Sequence, residues 1–410
     1  MATLKPETPE QVLEAVAWAA AEEAPLEILG RDSKRALGRP VQAANTLDLS
    51  GLSGITLYEP EELVLSARAG TPMAEIEAAL AEKNQMLAFE PADLGPLLGG
   101  AAGQGSIGGA LACNLAGPRR IKAGAARDHF LGAQAVSGRG ETFKSGGRVV
   151  KNVTGYDLCK LLAGSYGTLA TLSDVTVKVL PRPEKTRTVL LFGLDDAGAV
   201  KAMSRALQSA HEVSGAAHLP AALSASSAVS YVSGAGTSVT AVRVEGPGPS
   251  VAHRAAALRQ ELADLAETEE LHSANSATLW GELRDVAPLC ADSARVVWKI
   301  SVPPAEGARV LARLNRSQDA LSFFDWGGGL IWLSLPASDA LTFEGRHAAV
   351  RDALKDCGGH ATLVRAPDDL RARVPVFQPL DPAHEALTRR VKESFDPKGI
   401  LNPGRMFAGM

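Results

Sequence analysis

The sequence predicts an α+β protein of more than one domain, and three observations carry that prediction. In the N-terminal half, strand-length runs of alternating polarity, such as Val175, Val177 and Val179, stand between helix-period runs. The segment from Arg295 to Arg365 reads β-α-β-β-α-β, a ferredoxin-like order. At 410 residues the chain is too long for one compact core. Pro181-Arg182-Pro183 interrupts the pattern where a domain boundary belongs, so the expected division is residues 1–185, 186–370 and 371–410.

The elements follow in order. Thr8 caps a first helix, with Pro9 in its first turn and Gln11 completing a capping-box pattern ahead of Val12 and Val16. A strand runs over Leu26–Leu29 and ends at Gly30. Gly54–Tyr58 and Leu63–Ala69 are strand-like, and Thr71-Pro72 opens a helix with Ile76 and Leu80 on one face. Further strands are expected over Phe130–Ser137, Glu141–Lys144 and Leu172–Leu180. The ferredoxin-like segment comprises Arg295–Val302, Ala305–Leu314, Leu321–Asp325, Leu330–Leu335, Ala340–Lys355 and Ala361–Arg365, and the stretch before it reads as a looser copy. A last helix spans Pro382–Phe395.

Between Gly95 and Gly124 stand nine glycines in 30 residues, against 40 in the whole 410. Ordering such a stretch is entropically costly, so its bare backbone points to a use. One reading is a loop whose successive amides converge on phosphate oxygens, with Ser106 and Asn114 as side-chain donors; the other is a mobile surface loop. Gly103-Gln104-Gly105-Ser106-Ile107-Gly108 matches the dinucleotide fingerprint GxGxxG. Yet no strand precedes it, Gly117-Pro118 cuts short the following helix, and Asp128 stands before the next strand rather than at its end. That context argues against a Rossmann site.

Composition removes several function classes. A net charge of −4 gives no electrostatic reason to expect nucleic acid. Cys113, Cys159, Cys290 and Cys357 form no CxxC pair or ferredoxin-type run, so no iron–sulfur cluster or structural zinc is expected. Scattered cysteines of this kind read as reduced core residues of a cytoplasmic protein. The N-terminal residues resemble no signal peptide, and no apolar run reaches the roughly 18 residues of a membrane span. Docking to the inner face of a membrane through a complex stays open.

The run GSIGGALACNLAGPRR, then Gly124-Ala125-Ala126-Arg127-Asp128 and GGRVVKNVTGYDLCKLLAGSYGTLATLSDVTVKVLPRP, resembles the PCMH-type FAD domain of the vanillyl-alcohol oxidase family. With LDLSGLSGITLYEPEELVLSARAGTPMAEIEAAL upstream, and Trp298–Pro303 and Asp325–Gly329 downstream, the match narrows to the family of glycolate oxidase E subunits. The resemblance implies a PCMH-type two-subdomain FAD-binding domain over 1–185, a ferredoxin-like cap domain over 186–370, and a tail returning to the FAD domain. It implies non-covalent FAD, because neither a histidine in the first loop nor a cysteine before the second is present. The implied cofactor residues are Gly30, Arg31, Asp32, Ser33 and Lys34 in the first loop and Gly105, Ser106, Ile107, Gly108 and Gly109 in the second. Asn114, Gly164, Ser165, Gly167, Thr168, Leu172 and Asn402 complete the set. One departure is Asp32, in a loop that is usually glycine-rich; it repels phosphate unless Arg31 or Lys34 offsets it. A branched side chain at Gly108 is expected to expel the cofactor with the fold largely kept.

Other residues carry two readings each. His129 reads as a structural histidine before a flavin neighbour, and Trp326 as a hairpin core residue before a cofactor stack. Arg119, Arg120, Lys122 and Arg127 either neutralise pyrophosphate, face an acidic partner or form a solvated surface. Lys151-Asn152 and Tyr156-Asp157 are read as structural or flavin-edge residues. Neither an HxxxxxxH nor an HxGDGNxH pattern is expected, nor the histidine cluster for a metal and a substrate carboxylate that the resemblance gives to the catalytic subunit, so no catalytic base is named. The resemblance then implies an FAD-binding subunit working beside a catalytic glycolate oxidase flavoprotein subunit and an iron–sulfur subunit. A self-sufficient 2-hydroxy-acid dehydrogenase and a structural subunit without FAD are the alternatives.

Overall fold

In the computed structural model, which describes residues 2–148, 155–314, 319–336 and 340–410, local signals set the first elements. After β1 (Ala2–Leu4), Thr8 Oγ1 accepts the Gln11 amide at 3.3 Å and α1 (Pro9–Ala21) begins. Gln11 Oε1 reaches back to the Glu7 amide at 2.7 Å, one residue earlier than a strict capping box. The buried stripe of α1 holds Val12, Val16 and Ala19, at the three- and four-residue spacing that puts them on one face. They meet Leu26 of β2 (Leu26–Leu29) and Leu47 of β3 (Asn45–Asp48) in one hydrophobic core. The three strands pair in parallel in the order β1-β3-β2, and Leu401 from the far end of the chain bridges Leu26 in parallel.

A second sheet follows from β4 (Ile55–Glu59), β5 (Val64–Arg68), β6 (Phe130–Ser137), β7 (Thr142–Gly146) and β8 (Ala170–Lys178), antiparallel in the order β4-β5-β8-β6-β7. Helices α2 (Met73–Glu82) and α3 (Ile107–Ala112) bury Ile76, Leu80, Ile107 and Leu111 with Val175 and Val177 of β8. Each such side chain contributes about 1.5–3 kcal/mol on burial. Both sheets lie in one compact unit made of Met1–Ala116, Gly124–Arg182 and Arg371–Met410.

The other unit comprises Gly117–Ala123 and Pro183–Leu370. Its first half runs β9 (Lys185–Phe192), α4 (Asp196–Gln208), β10 (Gly215–Leu219), β11 (Val239–Gly246), α5 (Gly248–Leu262) and β12 (Thr268–Leu271). Its second half runs β13 (Val296–Ser301), α6 (Gly307–Leu314), β14 (Leu321–Asp325), β15 (Leu330–Leu335), α7 (Ala340–Asp352) and β16 (His360–Arg365). The eight strands form one antiparallel sheet in the order β12-β9-β11-β10-β14-β15-β13-β16. Each half therefore shows the ferredoxin-like order, fourth-first-third-second, and His218 opposite Phe324 joins the halves. The looser copy expected before Arg295 is thus a full one.

The last helix, α8 (Pro382–Phe395), belongs to the first unit. Lys392 in its final turn is buried and donates to the carbonyls of Thr168 (2.8 Å) and Leu401 (3.0 Å) and to Asp396. Asp396 in turn accepts the amides of Ile400 and Leu401, so the chain leaving α8 is pinned beside β2.

Candidate functional site

A cleft opens in the first unit where β2 ends. Asn402 builds one wall. Its Oδ1 accepts the Ile28 amide and its Nδ2 donates to the Tyr166 carbonyl, both at 2.8 Å, while its own amide donates to Leu26 at 3.0 Å. Tyr166 and Asn402 take left-handed conformations (φ +53° and +42°), as does Gly167 (φ +70°). A β-carbon at Gly167 would lie 2.8 Å from Asn402 Nδ2, so glycine is required there.

The first loop, residues 30–35, forms the floor. A β-carbon at Gly30 would lie 2.4 Å from Ser106 Oγ, so this glycine lets the two loops abut. Asp32 is left-handed (φ +62°), and the amides of Arg31, Asp32, Ser33 and Lys34 donate to no protein group among the described residues. A left-handed residue within a run of open amides is how backbone forms a concavity for an anion. The Asp32 carboxylate is more than half exposed and is offset by Arg35 at 3.7 Å, rather than by Arg31 or Lys34. Burial raises its pKa, which Arg35 opposes.

Of the residues expected at a cofactor, Gly30, Arg31, Asp32, Ser33, Lys34, Ser106, Gly108, Gly109, Gly167, Leu172 and Asn402 line this cleft. Gly105, Ile107, Asn114, Gly164, Ser165 and Thr168 are not among its lining residues. A β-carbon at Gly105 would stand 3.5 Å from Lys34 Nζ, whereas Ile107 is fully buried in the core. Asn114 turns its Oδ1 to the Arg127 amide at 3.0 Å. Thr168 Oγ1 donates to the Ser165 carbonyl at 2.7 Å, and Gly164 (φ +83°) serves the turn before them. The second loop's amides are largely spent within the protein. Ile107 donates to Thr71 (3.0 Å), Gly108 to Ala69 (2.9 Å) and Gly109 to Ser106 Oγ (3.3 Å).

Arg405, Cys113 and Tyr166 line the cleft without having been singled out. Arg405 stood in the tail sequence Asn402-Pro403-Gly404-Arg405, so its signal was present but unread. Its Nη2 donates to the carbonyls of Lys34 (2.9 Å) and Arg35 (3.3 Å), holding the first loop in place. Its Nη1 is buried without a hydrogen-bond partner, 4.0 Å from Glu27 Oε1, and Arg31 Nε is likewise buried and unpartnered. Burial lowers the pKa of both Arg405 and Lys34, each partly countered by Cys113. Burial pushes the Cys113 thiol up, against the pull of Lys34 and Arg405, which keeps it protonated and weakly nucleophilic.

Residues 1–146 match the family described as FAD binding domain, and residues 378–406 match FAD linked oxidases, C-terminal domain. The glycolate oxidase subunit GlcE of Escherichia coli (strain K12) is 35% identical over 400 residues, 97% of this chain and 97% of that one. The chain belongs to the glycolate oxidase E-subunit family. The glycolate oxidase subunit GlcD of Bacillus subtilis (strain 168) is 40% identical over 85 residues, 21% of this chain and 18% of that one. Among solved structures, p-cresol methylhydroxylase with substrate bound superposes at a TM-score of 0.72 with 16% identity, covering 98% of this chain and 88% of that one. The fold is therefore PCMH-type, and this member of the family is an FAD-linked oxidoreductase subunit.

The cleft fits the diphosphate of such a cofactor. Guanidinium atoms buried without a hydrogen-bond partner and open amides ask for an anion, and a β-carbon at Gly109 would stand 3.1 Å from Ser106 Oγ and 3.6 Å from Lys34 Nζ. Other readings resolve elsewhere. His129 is buried with its ring 5.4 Å from that of Phe89. Tyr156 is exposed, Asp157 caps a short helix by accepting the Lys160 amide at 3.3 Å, and Lys151-Asn152 lies outside the described residues. Arg119, Arg120 and Lys122 belong to the second unit, where Arg119 forks onto Glu245 at 2.9 and 3.0 Å.

The expectation that no HxxxxxxH pattern occurs is wrong: His211 and His218 form one. His211 Nε2 lies 3.2 Å from Glu261, and His218 is buried in β10 with Nδ1 at 2.8 Å from Thr240 Oγ1. Among the described residues no three His, Cys, Asp or Glu side chains gather as a metal set.

Proposed function

We propose that this chain holds FAD non-covalently in the cleft of its first unit and acts as the FAD-binding subunit of a glycolate-oxidising complex. Its companions are a catalytic flavoprotein subunit and an iron–sulfur subunit, and it relays electrons or shapes the assembly as glycolate becomes glyoxylate. The observation that carries this reading is the buried Arg405 Nη1, left without a hydrogen-bond partner beside the open amides of Arg31–Lys34. Arg405 and Lys34 supply positive charge, Asn402 and Gly167 shape the wall, and the bare position Gly30 lets the first loop abut Ser106. A bound flavin supplies the capacity to accept a hydride and to release electrons singly. The high pKa of the Cys113 thiol supports a cofactor held without a covalent bond. No helix among the described residues is long and apolar enough to cross a membrane, which suits a cytoplasmic subunit, peripheral at most through its partners.

The test is direct. Purified protein is expected to show the visible absorption of a flavin, and acid precipitation should release all of it to the supernatant. Flavin remaining with the pellet would overturn the non-covalent reading, and a colourless protein that takes up no added FAD would overturn the cofactor reading.

A further inference from the structure

One face of the second unit's sheet gathers cations around indole rings. Lys299 of β13 stands opposite Trp332 of β15 and Thr362 of β16, so the three side chains share a face. His360, two residues before Thr362, lies on that face too. Lys299 Nζ lies 5.1 Å from the centroid of the Trp326 ring and 5.9 Å from that of Trp332. The Arg120 guanidinium lies 4.4 Å from the same Trp326 ring. Trp326 is held in place, since its Nε1 donates to the Gly117 carbonyl at 3.0 Å and its amide to Asp325 at 2.7 Å. Lys299 Nζ donates no hydrogen bond to any described residue. Burial, with Arg120 behind it, pushes the Lys299 ammonium down to about 8, and burial with Lys299 and Arg120 lowers His360 as well. Asp325 is the carboxylate that acts on Lys299, and it is buried and already accepts the Trp326 amide.

An ammonium that stays largely charged at neutral pH and a guanidinium, facing one committed carboxylate, leave a positive site. We propose that Lys299, Arg120 and the Trp326 indole form a binding site for a small organic carboxylate. An ammonium and a planar guanidinium are the donors that recognise a carboxylate, and the indole offers a flat apolar surface for its carbon skeleton. The excess of one charge fits a monoanion better than a phosphate dianion. The site uses none of the residues of the FAD cleft and does not depend on the assignment made there.

Tryptophan fluorescence reads it. Sodium glycolate is titrated into the full chain at constant ionic strength held with sodium chloride, and sodium phosphate is run in parallel. A saturable change with glycolate is expected, with at most a weak one with phosphate. Lys299→Met should weaken apparent affinity at least tenfold, Lys299→Arg should stay within a few-fold, and Trp326→Phe should remove most of the signal. Should Lys299→Met fold poorly by circular dichroism, the exposed Arg120→Gln carries the same expectation. Flavin content should be unchanged in all four variants, which separates this site from the cleft. A linear response, an equal response to phosphate, or unchanged affinity in both charge-removing variants would overturn the proposal.

Discussion

A β-carbon at Gly108 would lie 2.7 Å from the Ala69 carbonyl oxygen and 2.8 Å from the Ala69 β-carbon. The glycine is there so that α3 can press against the end of β5, and its φ is not in the left-handed region. The expectation that a branched residue would expel the cofactor and spare the fold therefore changes. Gly108→Val should destabilise the first unit by roughly 1–3 kcal/mol or more, as overpacking against backbone does. A thermal melt that matches the parent would contradict this. Lys34→Met separates charge from packing, because among the described residues Lys34 Nζ bonds only to Ser33 Oγ, at 3.1 Å. That variant should keep its melting temperature and bind FAD about tenfold more weakly, a loss of ~1.4 kcal/mol; equal affinity by fluorescence titration would remove Lys34 from the site. At this scale the sequence showed which residues are unusual but not what each one meets. Gly108 was legible as special, while Ala69 across from it was not, because chain crossings leave no local pattern. Arg405 was missed for the same reason, since its partners are the carbonyls of residues 34 and 35.

Elements were more legible than contacts. The β-α-β-β-α-β order from Val296 to Arg365 could be read because each element has its own hydrophobic period. That the two ferredoxin-like halves fuse into one sheet through His218 and Phe324 could not, because an edge-to-edge pairing is non-local. The fused sheet carries two groups that tie its stability to pH. His218 is buried in β10, and burial lowers its pKa to about 4. Its unfolded value near 6.5 is higher, so unfolding takes up a proton between these values and stability falls as pH drops from 6.5 to 4. Glu245 in β11 would be raised by burial, but Arg243, Arg119 and Ser214 hold it at about 2. Its contribution is complete above the unfolded value near 4.3 and is lost as pH falls from there toward 2. Acidification through each window costs on the order of 3 kcal/mol. The second unit should therefore lose stability in two successive acid steps. In Glu245→Gln the lower step should shrink, whereas an unchanged denaturant midpoint across pH 7 to 3 in the parent would refute the assignment.

For the whole molecule, function became legible only because the motifs are spread along nearly the entire chain. Single motifs did not carry it. In the GxGxxG match Gly108 packs against the end of β5, and the HxxxxxxH spacing joins His211, beside Glu261, to a buried strand residue. The sequence contains no CxxC pair and no HxGDGNxH run, and its relatives include both GlcE and GlcD glycolate oxidase subunits. A flavin reduced in this chain needs an electron acceptor, and a cysteine-ligated cluster to serve as one would have to come from another polypeptide. We therefore expect the isolated chain, loaded with FAD, to show negligible glycolate turnover with a dye acceptor. Co-expression with a catalytic flavoprotein and an iron–sulfur subunit should give a co-purifying complex with activity. Removing this chain should abolish that activity while the catalytic flavoprotein is still present. Lys34→Met in the assembled complex then distinguishes relay from assembly. If the complex still forms but turnover falls with flavin occupancy, this flavin carries electrons. If turnover persists without it, the chain serves assembly, and vigorous turnover by the isolated chain would replace both readings with a self-sufficient dehydrogenase.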